Sequence, residues 1–136
     1  MNIFSSARKA GFTLIELLVI VMILGILTSI ALPQYKRSVE RARSAEAMTM
    51  LRSIYDSCER WAWENSYDNC GEAVAGGLTF SKLDITAKGT FSGGGKVLVT
   101  ENFAYTLGSI IVATARKGDY KNARILFNGR TFVCSN

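Results

Sequence analysis

Two patterns of apolar and polar positions divide this chain. From Phe12 to Leu32 the residues are apolar apart from Thr13, Glu16, Thr28 and Ser29. At 1.5 Å per residue that run makes about 30 Å of helix, enough to cross a bilayer core. Beyond Pro33 the pattern becomes periodic. No Gly or Pro occurs from Gln34 to Ser66, and Met48, Leu51, Tyr55, Cys58 and Ala62 recur at steps of three and four, an apolar stripe on one helix face. Tyr35, Val39 and Ala42 continue the seam with smaller contacts, while Glu40, Arg41, Arg43, Glu46, Arg52, Asp56, Glu59 and Arg60 lie mainly off it. Counted from Phe12, the whole helix would be about 80 Å long. The stripe needs a cover, and a sheet across Met48–Ala62 is the expected one.

The second half of the chain supplies such a sheet. "NSYDNCGEAVAGG" ends the helix in turn-forming residues, and "LTFSKLDI" offers Leu78, Phe80, Leu83 and Ile85 for docking. "AKGTFSGGGK" reads as a flexible loop, since three glycines without the rest of a P-loop do not hold phosphate. Strands are expected at Lys96–Thr100, at Phe103–Leu107 or Ile110–Ala115, at Ala123–Phe127 and at Thr131–Cys134. Asn128-Gly129 signals a tight hairpin with positive φ at both turn centres, and Arg116–Asp119 is a second turn. The fold class that follows is α+β: a long N-terminal helix, transmembrane in its first half, packed on a small antiparallel sheet. Trp61 is placed at the end of the core stripe and Trp63 under the following loop, where packing is the preferred role over a surface-binding one.

Composition narrows the chemistry. The chain has 136 residues, one domain at most, and no histidine, which removes the commonest general base and metal ligand. No metal site, cofactor or enzymatic constellation is expected. The formal net charge is +5, of which Arg8 and Lys9 supply two. Arg116, Lys117, Lys121, Arg124 and Arg130 make the late hairpins basic. Without interleaved aromatics they read first as a solvated rim, and only second as a nucleic-acid patch on Arg116, Lys117 and Lys121. Cys58, Cys70 and Cys134 show no C-x-x-C spacing. Cys58 with Cys70 closes a short loop and is the favoured pair, but Cys58 lies on the core stripe, where Cys134 on the last strand can also reach it.

One residue does not fit its surroundings. An ionised side chain at the centre of a membrane helix costs roughly 2.5–3.5 kcal/mol on insertion scales, so Glu16 calls for a task. A secretory signal peptide is the competing description of this region. The apolar run is too long for it, however, and Pro33-Gln34-Tyr35-Lys36 follows in place of a small-residue cleavage site.

A short basic leader ending in Gly11, then Phe12-Thr13-Leu14-Ile15-Glu16, then an apolar helix with Gly25 and Pro33, resembles the type IV pilin and pseudopilin family. The resemblance implies residues 1–11 as a leader, cut between Gly11 and Phe12 by a prepilin peptidase with N-methylation of Phe12. Residues 12–32 would be a transmembrane and filament-core helix, and residues 33–136 a periplasmic or extracellular head that includes the rest of the helix. Arg8 and Lys9 agree independently, since positive charge stays on the cytoplasmic side. Glu16 would then meet the Phe12 amine of a neighbouring subunit, fixing axial register where unpaired charge is expensive. Gly25 and Pro33 would mark points of helix flexibility. The family often pins its C-terminal region with a disulfide, which favours pairs that include Cys134 and leaves the pairing open.

The implied function is a structural subunit of a type IV pilus or pilus-like filament, held in the bacterial inner membrane before assembly. Its partners would be further pilins, the prepilin peptidase, and an inner-membrane assembly platform with its ATPase. The alternatives are a pseudopilin of a type II secretion system, or a DNA-uptake minor pilin. Major pseudopilins usually carry an acidic calcium loop near the C-terminus, and "RTFVCSN" is poor in acidic residues.

Overall fold

A computed structural model describes residues 11–135. Met1–Ala10, with Arg8 and Lys9 and most of the expected leader, lie outside the described residues. The chain divides into two units, one ending at Ser38 and the other beginning at Val39.

Helix α1 (Leu14–Glu64) begins in the first unit and continues into the second. Its first part runs helically through Gly25 and Pro33. Thr28 and Ser29 interrupt the apolar run at little cost, because each hydroxyl donates to a backbone carbonyl one turn back: Thr28 to Leu24 at 2.6 Å and Ser29 to Ile26 at 2.7 Å. Every residue from Gly11 to Ser38 is exposed.

The second unit is the head. Six strands form one antiparallel meander in chain order: β1 (Thr90–Ser92), β2 (Val97–Val99), β3 (Phe103–Thr106), β4 (Ile111–Ala115), β5 (Arg124–Phe127) and β6 (Phe132–Ser135). All five pairings are between sequence neighbours, so short turns suffice and no crossover is needed. Burial alternates as a half-covered sheet requires: Ile111, Ala113 and Ala115 point inward from β4, Ile125 and Phe127 from β5. These side chains join Ala47, Leu51, Ile54, Cys58 and Ala62 of α1 in a single buried cluster.

The helix face differs by a small rotation from the expected stripe. Leu51, Cys58 and Ala62 are buried, but Ala47, Ile54 and Ser57 complete the face, with Met48 and Tyr55 half-buried at its flank. Small side chains at Ala47, Ser57 and Ala62 sit where the burial is complete, and larger Met48 and Tyr55 fill the margin. Tyr55 meets Phe127 edge-on at 5.4 Å between centroids, and Phe127 stacks on Phe132 at 4.3 Å.

Three local expectations are corrected. "TFS", taken into a flexible loop, is strand β1, and Gly93, Gly94 and Gly95 all adopt positive φ to turn the chain into β2. That backbone is open to glycine at little steric cost, which is why three stand together. The β5–β6 connection is not a two-residue turn: Phe127 pairs with Phe132, and Asn128 through Thr131 form the loop. Only Gly129 has positive φ there, while Asn128 Oδ1 accepts from the backbone N–H groups of Arg130 and Thr131 at 3.0 and 2.9 Å. Trp63 is not covered by the following loop; it is 77% exposed.

Between helix and sheet lies a short second helix, α2 (Cys70–Ala75), inside the segment read as turn. Asn69 caps it by accepting from the Glu72 N–H at 3.0 Å. Leu78, Phe80 and Leu83 then bury, as their pattern suggests, and Ile85 is half-buried.

Candidate functional site

The residues singled out for processing and assembly stand at the start of α1. Gly11, Phe12 and Thr13 precede the helix, which starts at Leu14. Thr13 and Glu16 hold each other. The Glu16 carboxylate accepts from the Thr13 backbone N–H at 2.9 Å and from its hydroxyl at 2.7 Å, while the Thr13 hydroxyl oxygen accepts from the Glu16 N–H at 3.3 Å. This reciprocal arrangement is a capping box, which satisfies two of the backbone donors that a helix start leaves without partners. The sequence carries its signature, Thr-x-x-Glu directly before an apolar run, which charge pairing alone does not bring out. Within this chain, then, Glu16 already has a partner of its own.

Gly25 and Pro33 lie farther along the same apolar stretch, and both are accommodated in α1. Among the described residues, α1 is the one helix long and apolar enough to cross a membrane. Exposed along it are Ile15, Leu17, Leu18, Ile23 and Leu24, each more than half accessible. So much contiguous apolar surface is rare on a soluble monomer and marks a surface that something else covers.

In the head, Cys58 and Cys70 form a disulfide with a Cα–Cα distance of 5.3 Å, tying α1 to the start of α2. Cys134 is free and exposed, so pairs that include it are not formed. Cys134 lies on β6, the edge strand of the sheet, and is exposed there, whereas Cys58 is wholly buried and bonded to Cys70. A second tie fastens the loop after α2. Asp84 Oδ1 accepts from the Ser57 hydroxyl and from Arg60 Nη2 at 2.6 Å, and the Asp84 N–H donates back to Ser57 Oγ at 3.1 Å. The Ser57 hydrogen bond, followed by Arg60, holds the Asp84 carboxyl below the usual carboxylate range. Burial pushes the Tyr105 phenol well above its ordinary value, as befits a tyrosine used for packing.

The basic residues of the β4–β5 turn do not stand as an open cluster. Lys117 pairs with Glu101 at 2.9 Å, drawing that carboxyl down, and Arg116 donates to the Thr100 carbonyl. Lys121 is exposed. Trp61 stacks on Tyr67 at 5.8 Å with the Lys82 ammonium 5.2 Å from its ring centre, a structural use of the aromatic pair. An open groove of about 530 Å³ lies between α1 and β6, lined by Met48, Arg52, Asp56, Arg60 and Phe132 among others.

Comparison with known proteins bears on the first of these regions. Residues 6–32 match the family model of the prokaryotic N-terminal methylation motif. The chain is 46% identical over 48 residues to the type IV major pilin protein PilA of Myxococcus xanthus, covering 35% of this chain and 22% of that one. It is 52% identical over 52 residues to a fimbrial protein of Moraxella nonliquefaciens, covering 38% and 33%. To the fimbrial protein EcpC of Eikenella corrodens it is 33% identical over 89 residues, 60% of this chain and 58% of the relative. The matched part thus spans a fifth to somewhat over half of these relatives. No solved structure matches the chain. The class defined by an apolar N-terminal helix joined to an antiparallel sheet is a pilin-like α+β protein. More particularly, the N-terminal segment carries the prokaryotic N-terminal methylation motif and is similar to those of type IV pilin and fimbrial proteins, which are structural proteins rather than enzymes.

Proposed function

We propose that this chain is a structural subunit of a type IV pilus or pilus-like filament. The observation that carries the reading is the coincidence of the methylation motif at residues 6–32 with a fully exposed apolar helix on a chain whose head has its own core. An exposed apolar helix of this length needs lipid or other helices around it, and a filament subunit meets both in turn.

In this reading residues 1–11 are a leader removed by prepilin peptidase after Gly11, and Phe12 becomes the methylated N-terminus. Residues 12–32 wait in the inner membrane and then form the filament core, while residues 33–136 carry the head to the surface. The platform and ATPase of pilus assembly would drive the transfer. The Thr13–Glu16 capping box gives Glu16 two states. While the subunit is alone, the carboxylate is satisfied by Thr13, which reduces the cost of holding it at the membrane boundary. Once the cut exposes the Phe12 amine, a neighbour's ammonium competes for the same oxygens, and the charge-assisted pair is the stronger one in an apolar bundle. Gly25 and Pro33 are the points at which α1 yields most readily when subunits pack.

The test is to delete the gene, complement it with the intact chain, and image surface filaments while assaying twitching, transformation and secretion together. Loss of filaments, restored on complementation, is expected. Intact filaments with a secretion defect would replace this reading by the pseudopilin one.

A further inference from the structure

Where α1 leaves the apolar run, its residue types change abruptly. Leu32 is the last residue of the run, and Tyr35, Lys36 and Arg37 follow within the same helix, all exposed. At 1.5 Å per residue they lie about 4–8 Å beyond Leu32 along the axis. The polar layer of a bilayer leaflet is roughly 5–7 Å deep, so the three fall within it when the apolar run fills the core. Side chains on a helix lean toward its N-terminus, which turns these three back toward the run. Successive residues also step about 100° around the axis, so they encircle the helix and do not line one face. An encircling set suits a shell of headgroups better than a partner on one side.

The cations of this collar are not neutralised by the chain itself. No Asp or Glu lies between Glu16 and Glu40, and Glu40 is engaged by Arg43 at 2.7 Å. None of the ion pairs among the described residues involves Lys36 or Arg37. Tyr35 beside them is 69% exposed. Tyrosine concentrates at membrane interfaces, and lysine and arginine close to a bilayer attract anionic headgroups. In the anchored reading the collar has also crossed the membrane, against the usual retention of cations on the cytoplasmic side. An anionic layer on the far side would offset that bias.

We propose that Tyr35, Lys36 and Arg37 form a binding collar for anionic phospholipid headgroups, which fixes the depth of α1 in the bilayer while the subunit is stored. The inference rests on the membrane-anchored reading above. Phe12 lies twenty residues before Leu32, about 30 Å along the helix. Holding the collar in one headgroup layer therefore sets Gly11 and Phe12 at the opposite one, where the leader is to be cut. Extraction into the filament would release the lipids.

The experiment places the full chain in nanodiscs made of equal parts phosphatidylcholine and phosphatidylglycerol, and counts the lipids that stay bound by native mass spectrometry. Phosphatidylglycerol should be retained over phosphatidylcholine by about fivefold or more, since each cation near such a surface contributes about that factor. Assembly of the nanodiscs in high salt should bring the ratio toward one. Lys36→Gln and Arg37→Gln together should do the same without changing helix content, whereas Lys88→Gln, in the head, should leave the preference intact. Equal retention of both lipids, or a preference that the paired variant keeps, would overturn the collar. Failure of the chain to enter nanodiscs at all would overturn the anchored reading, and the collar with it.

Discussion

The two parts of α1 share one backbone and treat water in opposite ways. Through Ser38 no side chain is withdrawn from solvent, and Leu14 is 82% exposed although it is apolar. From Ala47 to Ala62 one face falls to complete burial against the sheet, while the other carries Arg52, Asp56 and Arg60. The second part obtains its stability from contacts within the chain. The first lacks them among the described residues, so its partner has to come from outside. A single helix thus serves two environments because its apolar residues surround the axis in one part and line one face in the other.

Changes in each part should therefore act on different observables. Glu16→Ala should have the largest effect. Filament formation should be abolished or crippled, leader cleavage should stay largely intact, and the melting temperature of the head should not move. Electron microscopy and immunoblotting of the processed form check this, and normal filaments would remove Glu16 from assembly.

Leu51→Ala should do the reverse. Leu51 is fully buried, and such truncations cost about 2–5 kcal/mol through lost contact and a residual cavity. Denaturant melts of the detergent-solubilised chain should show the loss, while membrane insertion stays unchanged. An effect under about 1 kcal/mol would mean that α1 and the sheet do not share one core.

Replacing Cys58 and Cys70 by Ser together should cost roughly 2–4 kcal/mol, by freeing the unfolded chain and loosening α2. Protease sensitivity should then appear first between Asn65 and Leu83. Replacing Cys134 alone should leave both stability and the non-reducing peptide map unchanged, because it is exposed and unpaired.

The smallest effect concerns pH. The Asp84 carboxyl is lowered from its ordinary value of 3.8 in the folded chain, so its contribution is present above that value. It is lost as pH falls through the lower folded value. Because Asp84 is exposed, the change should be a modest drop in melting temperature below about pH 4, absent in Asp84→Asn. A drop of the same size in Asp84→Asn would assign the acid sensitivity elsewhere.

Much of this was legible in residue pattern, and the misses have physical causes. The apolar run, the helix beyond it and the later strands follow from periods that burial enforces. The helix face came out slightly rotated because Ala47 and Ser57 carry little hydrophobic weight. Yet small size suits them to the closest approach, and Ser57 is buried only because Asp84 answers its hydroxyl. Strand β1 hid among glycines that turned out to form its connection to β2. Helix α2 has no sequence period to announce it, since its six residues depend on the Asn69 cap and the disulfide rather than on apolar spacing. Composition also left the cysteine pairing open, because a strand's place at the sheet edge is a property of topology. At the start of α1, the carboxylate that stands out as a charge in an apolar run is satisfied locally, by Thr13 three residues before it.

The most direct measurement is the intact mass of the protein in filaments sheared from the cell surface. A polypeptide beginning at Phe12 and carrying one methyl group is expected. Surface filaments built from a chain that still begins at Met1, or filaments that lack this chain altogether, would contradict the assignment of α1's first part to processing and assembly.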